Sequence, residues 1–219
     1  MRASRTPIAL RQIGAGLRAL LVLTVIVGLA YPLVITGVAQ VIFPGNADGS
    51  MVYRNGKPVG SDLIGQAFTR PETKAGRALL DKAGTPVTRP DPRYFQSRPS
   101  AAGAGYDPLS TGASNLSPDN PVLVRRVEQR RRAAAALDGV PPARVPPDAL
   151  LASGSGLDPQ ISPAYAAEQV ARVARVRGLP VSRVRALVAA HTEGRTLGFL
   201  GEPRVNVLEL NLALDRVNG

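Results

Sequence analysis

The chain has 219 residues, enough for one ordinary domain and an additional element. It contains no cysteine, which excludes a disulfide framework, a thiol nucleophile and a Cys-ligated metal. The formal net charge is +11, but only 4% of the residues are aromatic. Because base-stacking platforms are therefore scarce, we predict no nucleic-acid partner.

Residues 19–43 form an uninterrupted run without a charged side chain. At about 1.5 Å per residue such a helix measures roughly 37 Å, more than the ~30 Å hydrocarbon core of a bilayer. A buried core helix would rarely run this long without a polar face. The apolar region of a cleaved signal peptide is usually only about 7–15 residues long. We therefore predict a retained transmembrane helix over residues 19–43.

Basic residues on the N-terminal side of this span indicate its orientation. Arg2, Arg5, Arg11 and Arg18 precede it, and no acidic residue lies among them. Cytoplasmic flanks of membrane spans carry an excess of Lys and Arg. The sequence thus predicts that residues 1–18 are cytoplasmic and that residues 44–219 form an extracytoplasmic domain.

Small and weakly polar residues recur every four positions within the span, at Thr24, Gly28, Pro32, Thr36 and Gln40. Residues spaced in this way lie along one ridge of a helix. Transmembrane helices use such residues where they pack against other helices. We predict a helix-packing interface here, and a plain lipid-facing anchor remains the alternative.

The first part of the outer domain is rich in turns. Asn55-Gly56 between two short runs predicts a β-hairpin with a type I′ turn. Residues 69–93 are rich in proline and charge and are interpreted as a surface loop. Residues 98–121 are polar and contain few large apolar side chains, so they cannot contribute much core.

Helical signals dominate the remainder. Asn120 and Pro121 predict the start of a helix that ends near Leu137, and residues 139–148 are interpreted as a proline-stiffened linker. The basic residues of that first helix are interpreted as a solvated face; they are Arg125, Arg126, Arg130, Arg131 and Arg132.

Three further helices follow in the outer domain. Ser162-Pro163 opens one that ends before Gly178, and Ser182 is predicted to cap the next. Asn206, with Glu209 three residues later, predicts a last helix over residues 207–217, although its apolar residues also fit strand-like alternation. The predicted class is α+β: a single N-terminal transmembrane helix, then a mixed, mainly helical domain with a small β-hairpin or sheet.

No catalytic or metal-binding constellation is apparent. His191 is the only histidine, and no cysteine or second histidine is present to build a metal site with it. It is also the only ordinary base for a serine nucleophile, and no G-x-S-x-G motif accompanies it. Carboxylates are spread singly along the chain. We predict no catalytic residue and no metal ligand in this chain.

The Ser/Gly-rich loop "SGSGLDPQIS", residues 153–162, leads straight into a predicted helix. Loops of this shape sometimes hold phosphate on free backbone N–H groups. This one lacks the Lys-Ser/Thr ending of a P-loop, as does "STGASN" at residues 110–115. A structural turn is the favoured interpretation, with a nucleotide site as the alternative and no cofactor-binding residue assigned.

Several segments together resemble one known family. They are "LIGQAF", "YFQSRPSAA", "STGASNLSPDNP", "LASGSGLDPQISPAYAAEQVARVARVRG" and "HTEGRTLGFLGEPRVNVLELNLALD". In this order, after a single N-terminal span, they are similar to the C subunit of the Kdp-type potassium-transporting P-type ATPase. The chain departs from the family in a longer residue 69–93 segment, a predicted insertion. It also has Ala113 where the family has a second glycine.

The resemblance implies an accessory subunit of an ATP-driven potassium uptake complex in the bacterial inner membrane. Its partners would be a channel-like potassium-binding subunit, a catalytic P-type ATPase subunit and a small single-span subunit. The resemblance implies ATP and K⁺ as ligands of the whole complex, and no cofactor is assigned to this subunit. The family role is assembly and stability of the complex, with a proposed catalytic-chaperone role that raises the ATP affinity of the ATPase subunit.

Partner-facing loops are the remaining site prediction. They are expected at Arg98, Ser114, Asn115, Ser155, Gly156 and Asp158. The alternative function is a membrane-anchored extracytoplasmic domain that acts without a pump and binds a ligand or an anionic envelope polymer.

Overall fold

A computed structural model describes residues 7–74 and 77–217. The chain divides into two compact units, one up to Met51 and the other from Val52 onward. The first unit is dominated by a long apolar helix, and the second is a mixed α/β domain with its own core. This arrangement agrees with the predicted α+β class.

The N-terminal helix is continuous from Ile8 to Ile42 and is long and apolar enough to cross a membrane. It consists of α1 (Ile8–Leu23), a π-helical stretch (Thr24–Ala30) and α2 (Tyr31–Ile42). The predicted span over residues 19–43 lies almost wholly within it. The helix begins earlier than predicted because no proline interrupts residues 8–18, and its first turns therefore belong to the segment assigned to the cytoplasm. The assigned residues 1–6 lie outside the described part of the chain.

Pro32 explains the π-helical stretch that precedes it. A proline inside a helix lacks the N–H for the hydrogen bond to residue i−4, and its ring clashes with that carbonyl. In membrane helices a local π adjustment relieves this conflict. Here the wider turn ends at Ala30, and regular α-helix resumes at Tyr31.

The helix is followed by a short turn of helix, α3 (Pro44–Ala47). The side-chain amide of Gln40 donates to Asp48 Oδ1 at 3.0 Å, which ties the end of α2 to the residue after α3. Gln40 therefore has a partner within its own unit, unlike the other members of its stripe.

The first hairpin is confirmed. Strands β1 (Met51–Arg54) and β2 (Lys57–Ser61) pair, and φ is +51° at Asn55 and +75° at Gly56. Two successive positive φ angles are the requirement of a type I′ turn.

The prediction of a surface loop over residues 69–93 was wrong: the segment folds as a small exposed β-arm. Strand β3 (Thr69–Pro71) pairs antiparallel with β6 (Thr88–Pro90), and β4 (Thr73–Lys74) pairs with β5 (Arg77–Ala78). The strands are too short and too rich in proline to show an alternating pattern. Their pairing is supported by the turn, where Asp81 Oδ1 accepts hydrogen bonds from two backbone N–H groups.

The remaining elements form a three-stranded sheet and four helices. The sheet has the order β7-β9-β8, formed by β7 (Gln160–Ile161), β9 (Arg204–Asn206) and β8 (Thr192–Glu193). The helices are α4 (Pro121–Asp138), α5 (Pro163–Arg177), α6 (Val181–Ala190) and α7 (Val207–Val217).

Most predicted helix caps are confirmed. The side chain of Asn120 accepts from Val122 N, that of Ser162 from Tyr165 N, and that of Asn206 from Leu208 N. Gly139 and Gly178 end α4 and α5 with positive φ. The helical interpretation of residues 207–217 is thereby favoured over strand.

Two local predictions need correction. Helix α6 starts at Val181 with Pro180 in the capping position, not at Ser182, because proline's fixed φ suits a helix start. Residues 139–148 are more than a linker, since they form two 3₁₀ turns, Pro142–Arg144 and Pro147–Ala149. Val145 and Ala149 are buried in the core, so this segment packs as part of the fold.

The core is built around α5. Buried residues of α5 form one hydrophobic cluster with residues of α4, α6, α7 and the sheet. Val173 of α5, Val184 of α6 and Leu210 of α7 are fully buried in it. Two amide side chains fix the chain segment that runs over this core. Asn211 exchanges two hydrogen bonds with the backbone of Phe95, and Gln169 does the same with Gln96.

Candidate functional site

Three loops that are far apart in sequence meet on one side of the second unit. Gly65 N donates to Leu157 O at 2.7 Å, and Gly112 N donates to Ser155 O at 2.9 Å. Ser100 Oγ donates to Gly156 O at 2.6 Å. The Ser/Gly-rich loop thus forms the centre of the cluster, bound by both of the other loops.

Arg98 and Asp158, two predicted loop residues, form an ion pair. Arg98 Nη1 lies 2.9 Å from Asp158 Oδ2, and Asp158 Oδ1 accepts from Gln160 N at 3.0 Å. Both side chains are about one-quarter exposed. The ion pair therefore connects two loops, and the Asp158 side chain also stabilises the turn that precedes α5 by accepting from Gln160 N.

Gly156 is the tightest point of the cluster. Its φ is +72°, and a Cβ added there would lie 2.6 Å from Ala102 N and 2.8 Å from Gly112 O. Real Cβ atoms do not approach backbone atoms so closely. Only glycine therefore fits against Ala102 and Gly112 with this backbone conformation.

Several backbone N–H groups of the Ser/Gly-rich loop donate hydrogen bonds within the protein. Gly156 N donates to Ser153 Oγ, and Leu157 N donates to Ser155 Oγ. The N–H of Ser162, at the start of α5, donates to Asp148 Oδ2. A phosphate-binding loop needs free N–H groups pointing outward. This hydrogen bonding favours the structural-turn interpretation of "SGSGLDPQIS".

Ser114 and Asn115 lie apart from the Arg98–Asp158 pair. Both side chains are exposed, and Asn115 has a φ of +48°. Ser114 lines a cleft of about 550 Å³ together with Arg126 and Arg130 of α4. The structure therefore gathers four of the six predicted loop residues in one cluster and places the other two beside a basic cleft.

This cleft was missed in the sequence, because the arginines of α4 were interpreted as one solvated face. Arg131 and Arg132 do match that interpretation, since they contact Glu128 on the surface. Arg126 and Arg130, one helical turn apart, line the cleft instead. Their spacing of four residues was the available signal.

The described residues contain no group of three His, Cys, Asp or Glu side chains arranged to hold a metal ion. His191 ends α6 with Nδ1 2.9 Å from Leu187 O. Burial and the neighbouring Glu193 raise the pKa of Asp62, and burial and Asp62 raise that of Glu209. The raised pKa values of Asp62 and Glu209 thus come from burial and from repulsion between neighbouring carboxylates.

The stripe of the N-terminal helix is exposed at Thr24, Gly28, Pro32, Thr36 and Gln40. A Cβ on Gly28 would meet only Thr24 Cγ2, at an ordinary contact distance of 3.7 Å. A Cβ at position 28 therefore has room within this chain, and the effect expected of a larger side chain there is on packing against a neighbouring helix.

Comparison with known proteins gives a consistent match over this whole arrangement. The family model for the K⁺-transporting ATPase, c chain, matches residues 13–216. A "Potassium-transporting ATPase KdpC subunit" of Kineococcus radiotolerans is 55% identical, over 94% of this chain and 93% of the relative. A relative with the same name in Streptomyces coelicolor is 51% identical, over 94% of this chain and 92% of the relative. Another in Polaromonas naphthalenivorans is 52% identical, over 89% of this chain and 89% of the relative.

Proposed function

The chain belongs to the KdpC family, the c chain of K⁺-transporting ATPases, and we propose that it is a non-catalytic subunit that holds the pump together. In this proposal the N-terminal helix packs beside the channel-like subunit, and the outer domain covers its potassium entrance. ATP hydrolysis and ion selection belong to the partner subunits. The observation that carries the proposal is the family match over residues 13–216, which includes most of the long apolar helix Ile8–Ile42.

The small-residue stripe is the proposed contact with the neighbouring helix. Helices in lipid gain little from apolar burial and associate by close packing, which small residues permit. Thr24, Gly28 and Thr36 have small side chains, so this face of the helix protrudes little over about three turns. Glycine at position 28 contributes no side chain, so a partner helix can approach its backbone directly.

Replacing Gly28 with Leu, alone and together with Thr36→Leu, is expected to lower the amount of complex that co-purifies with this subunit by about tenfold, because the helices are forced apart. The matched control is Gly37→Leu. Gly37 lies nine residues later, about two and a half α-helical turns away, and no atom lies within 4 Å of a Cβ added there. Equal losses for Gly28→Leu and Gly37→Leu would contradict the assigned face.

We propose an N-terminus in the cytoplasm and an outer domain from residue 44, in accord with the four arginines that precede the span. A single cysteine at Ser155 tests this, because the chain has no cysteine of its own and Ser155 is exposed. In intact cells with a permeabilised outer membrane, Ser155→Cys should react fully with an impermeant thiol reagent. Gln12→Cys should react only after the inner membrane is opened.

Any effect of this subunit on ATP affinity is proposed to be indirect. Labelling at position 155 would place the Ser/Gly-rich loop across the membrane from cytoplasmic ATP. Protection at position 155 together with labelling at position 12 would indicate the opposite topology. The Ser/Gly-rich loop would then be cytoplasmic, and direct contact with nucleotide would be supported. Labelling in denaturant would distinguish such protection from burial against a partner subunit.

A further inference from the structure

Helix α4 carries two arginines whose charge is not balanced within the described residues. Arg126 and Arg130 are four residues apart, a spacing at which two like charges on a helix repel each other. The two carboxylates of α4 have other partners, since Glu128 contacts Arg132 at 2.9 Å and Asp138 pairs with Arg172 at 2.6 Å. Neither Arg126 nor Arg130 forms an ion pair anywhere in residues 7–74 and 77–217.

Arg130 is held in position by the protein. Its Nη1 donates to Leu150 O at 2.8 Å, and this is the single hydrogen bond of its guanidinium within the described chain. Burial and the nearby Arg126 lower the pKa of Arg130. The partly buried Arg130 guanidinium therefore lies near the exposed Arg126 guanidinium, and a bound anion would relieve the repulsion between the two.

The cleft between α4 and the neighbouring loops offers space and a neutral donor. Its volume is about 550 Å³, more than a bare oxyanion fills. Ser114, on its wall, has an exposed hydroxyl that makes no hydrogen bond in the part of the chain described here. Ser100 also lines the cleft, but its Oγ is committed to Gly156 O, Ala102 N and Tyr106 N.

We propose that this cleft binds a phosphate-type oxyanion, held by Arg126 and Arg130 with a hydrogen bond from Ser114. Guanidinium groups match the geometry of phosphate oxygens and form paired, charge-assisted hydrogen bonds with them. The volume left over accommodates a substituent on the phosphate. The bound group is either free phosphate or the phosphodiester of a lipid headgroup, and either ligand goes beyond the assembly role proposed above.

The test uses the full chain in nanodiscs of neutral phosphatidylcholine, titrated by calorimetry with two probes. Inorganic phosphate represents the free ion, and glycerophosphoglycerol represents the headgroup of an anionic phospholipid. We expect saturable binding of at least one probe and a loss of affinity of at least about tenfold in Arg126→Gln. Arg126 is exposed, so this variant is expected to fold.

Arg132→Gln is the matched control, because it removes the same charge from the same helix at a residue that faces Glu128. Its affinity should stay within about twofold of the unmodified chain, since distant exposed charges are screened by salt. Tighter binding of inorganic phosphate would identify the free ion, and tighter binding of the diester would identify the headgroup. Binding of neither probe, or an equal loss in Arg132→Gln, would overturn the proposal.

Discussion

Replacing Arg172 with Met is expected to lower the free energy of unfolding of the second unit by about 3–5 kcal/mol. The Arg172 side chain is fully buried and pairs with Asp138 at 2.6 Å. Its Nη1 also donates to Pro92 O at 2.7 Å and to Tyr94 O at 2.8 Å. One guanidinium thus connects α4, α5 and the extended segment that covers the core.

Removal of the guanidinium lowers stability because it leaves a buried carboxylate and backbone carbonyl groups without their hydrogen-bond donor from Arg172. Burial raises the pKa of Asp138, and Arg172 counteracts part of that rise by its charge and its hydrogen bond. Without Arg172, Asp138 must either stay charged with no partner or take up a proton. The carbonyl group of Pro92 also loses its Arg172 donor, and that of Tyr94 keeps only the hydrogen bond from Gln96 Nε2 at 3.2 Å. Met retains most of the apolar packing, so the loss is mainly polar.

Thermal and denaturant unfolding of the full chain in detergent, followed by circular dichroism, measure this effect. The control is Arg132→Met, which breaks an ion pair whose side chains are 75% and 49% exposed and should change the free energy by less than about 0.5 kcal/mol. The double variant Arg172→Met/Asp138→Leu should recover part of the loss, because no buried carboxylate then remains unpaired. Equal stability of Arg172→Met and Arg132→Met would contradict the structural role assigned to Arg172.

Replacing Gly156 with Ala is expected to destabilise the second unit by about 3 kcal/mol. The backbone of Gly156 has a φ of +72°, a region in which a Cβ costs about 1–2 kcal/mol. The added Cβ would also lie 2.6 Å from Ala102 N and 2.8 Å from Gly112 O. Since both atoms belong to the backbone, the segments around Ala102 and Gly112 must move away from Gly156.

Gly154→Ala is a closely matched control. It makes the same change two residues earlier in the same loop, where no atom lies within 4 Å of the added Cβ. Its effect should fall within about 0.5 kcal/mol of zero. The same unfolding measurements distinguish the two variants, and ATP turnover of the assembled pump adds a functional readout.

The functional readout decides between two roles of the loop. If the loop is a structural turn, Gly156→Ala should reduce the yield of assembled pump, while the complexes that do form keep their ATP affinity. A variant with unchanged stability and assembly but weakened ATP affinity would instead favour direct contact with nucleotide. The hydrogen bonds of Gly156 N and Leu157 N to serine hydroxyls favour the first result.

Elements with local signals were predictable from the sequence. Asn120, Ser162 and Asn206 each accept hydrogen bonds from N–H groups two or three residues later, so their role depends on adjacent sequence alone. The same applies to Asn55-Gly56, whose positive φ angles determine a tight turn whatever surrounds it. These signals located α4, α5, α7 and the first hairpin.

Elements that depend on distant partners were not predictable in this way. The arm over residues 69–90 consists of strands of two or three residues, so its pairing leaves no periodic pattern in the sequence. Val145 lies among prolines in the segment interpreted as a linker, and Ala149 directly follows that segment. Both side chains are nevertheless buried in the core. Arg126 and Arg131 looked alike in one basic cluster, and only the neighbouring loops separate a cleft residue from a surface residue.

The amino-acid sequence was sufficient to predict the long apolar helix, the starts of α4, α5 and α7, the family and the absence of cysteine chemistry. Each of these follows from neighbouring residues or from a co-linear set of motifs. Tertiary structure alone decided that Arg172 is buried, that Gly156 has no room for a side chain, and that Ser114 lies beside Arg126. Burial and close approach depend on residues tens of positions away, as with Arg172 and Pro92, and no local pattern encodes such contacts.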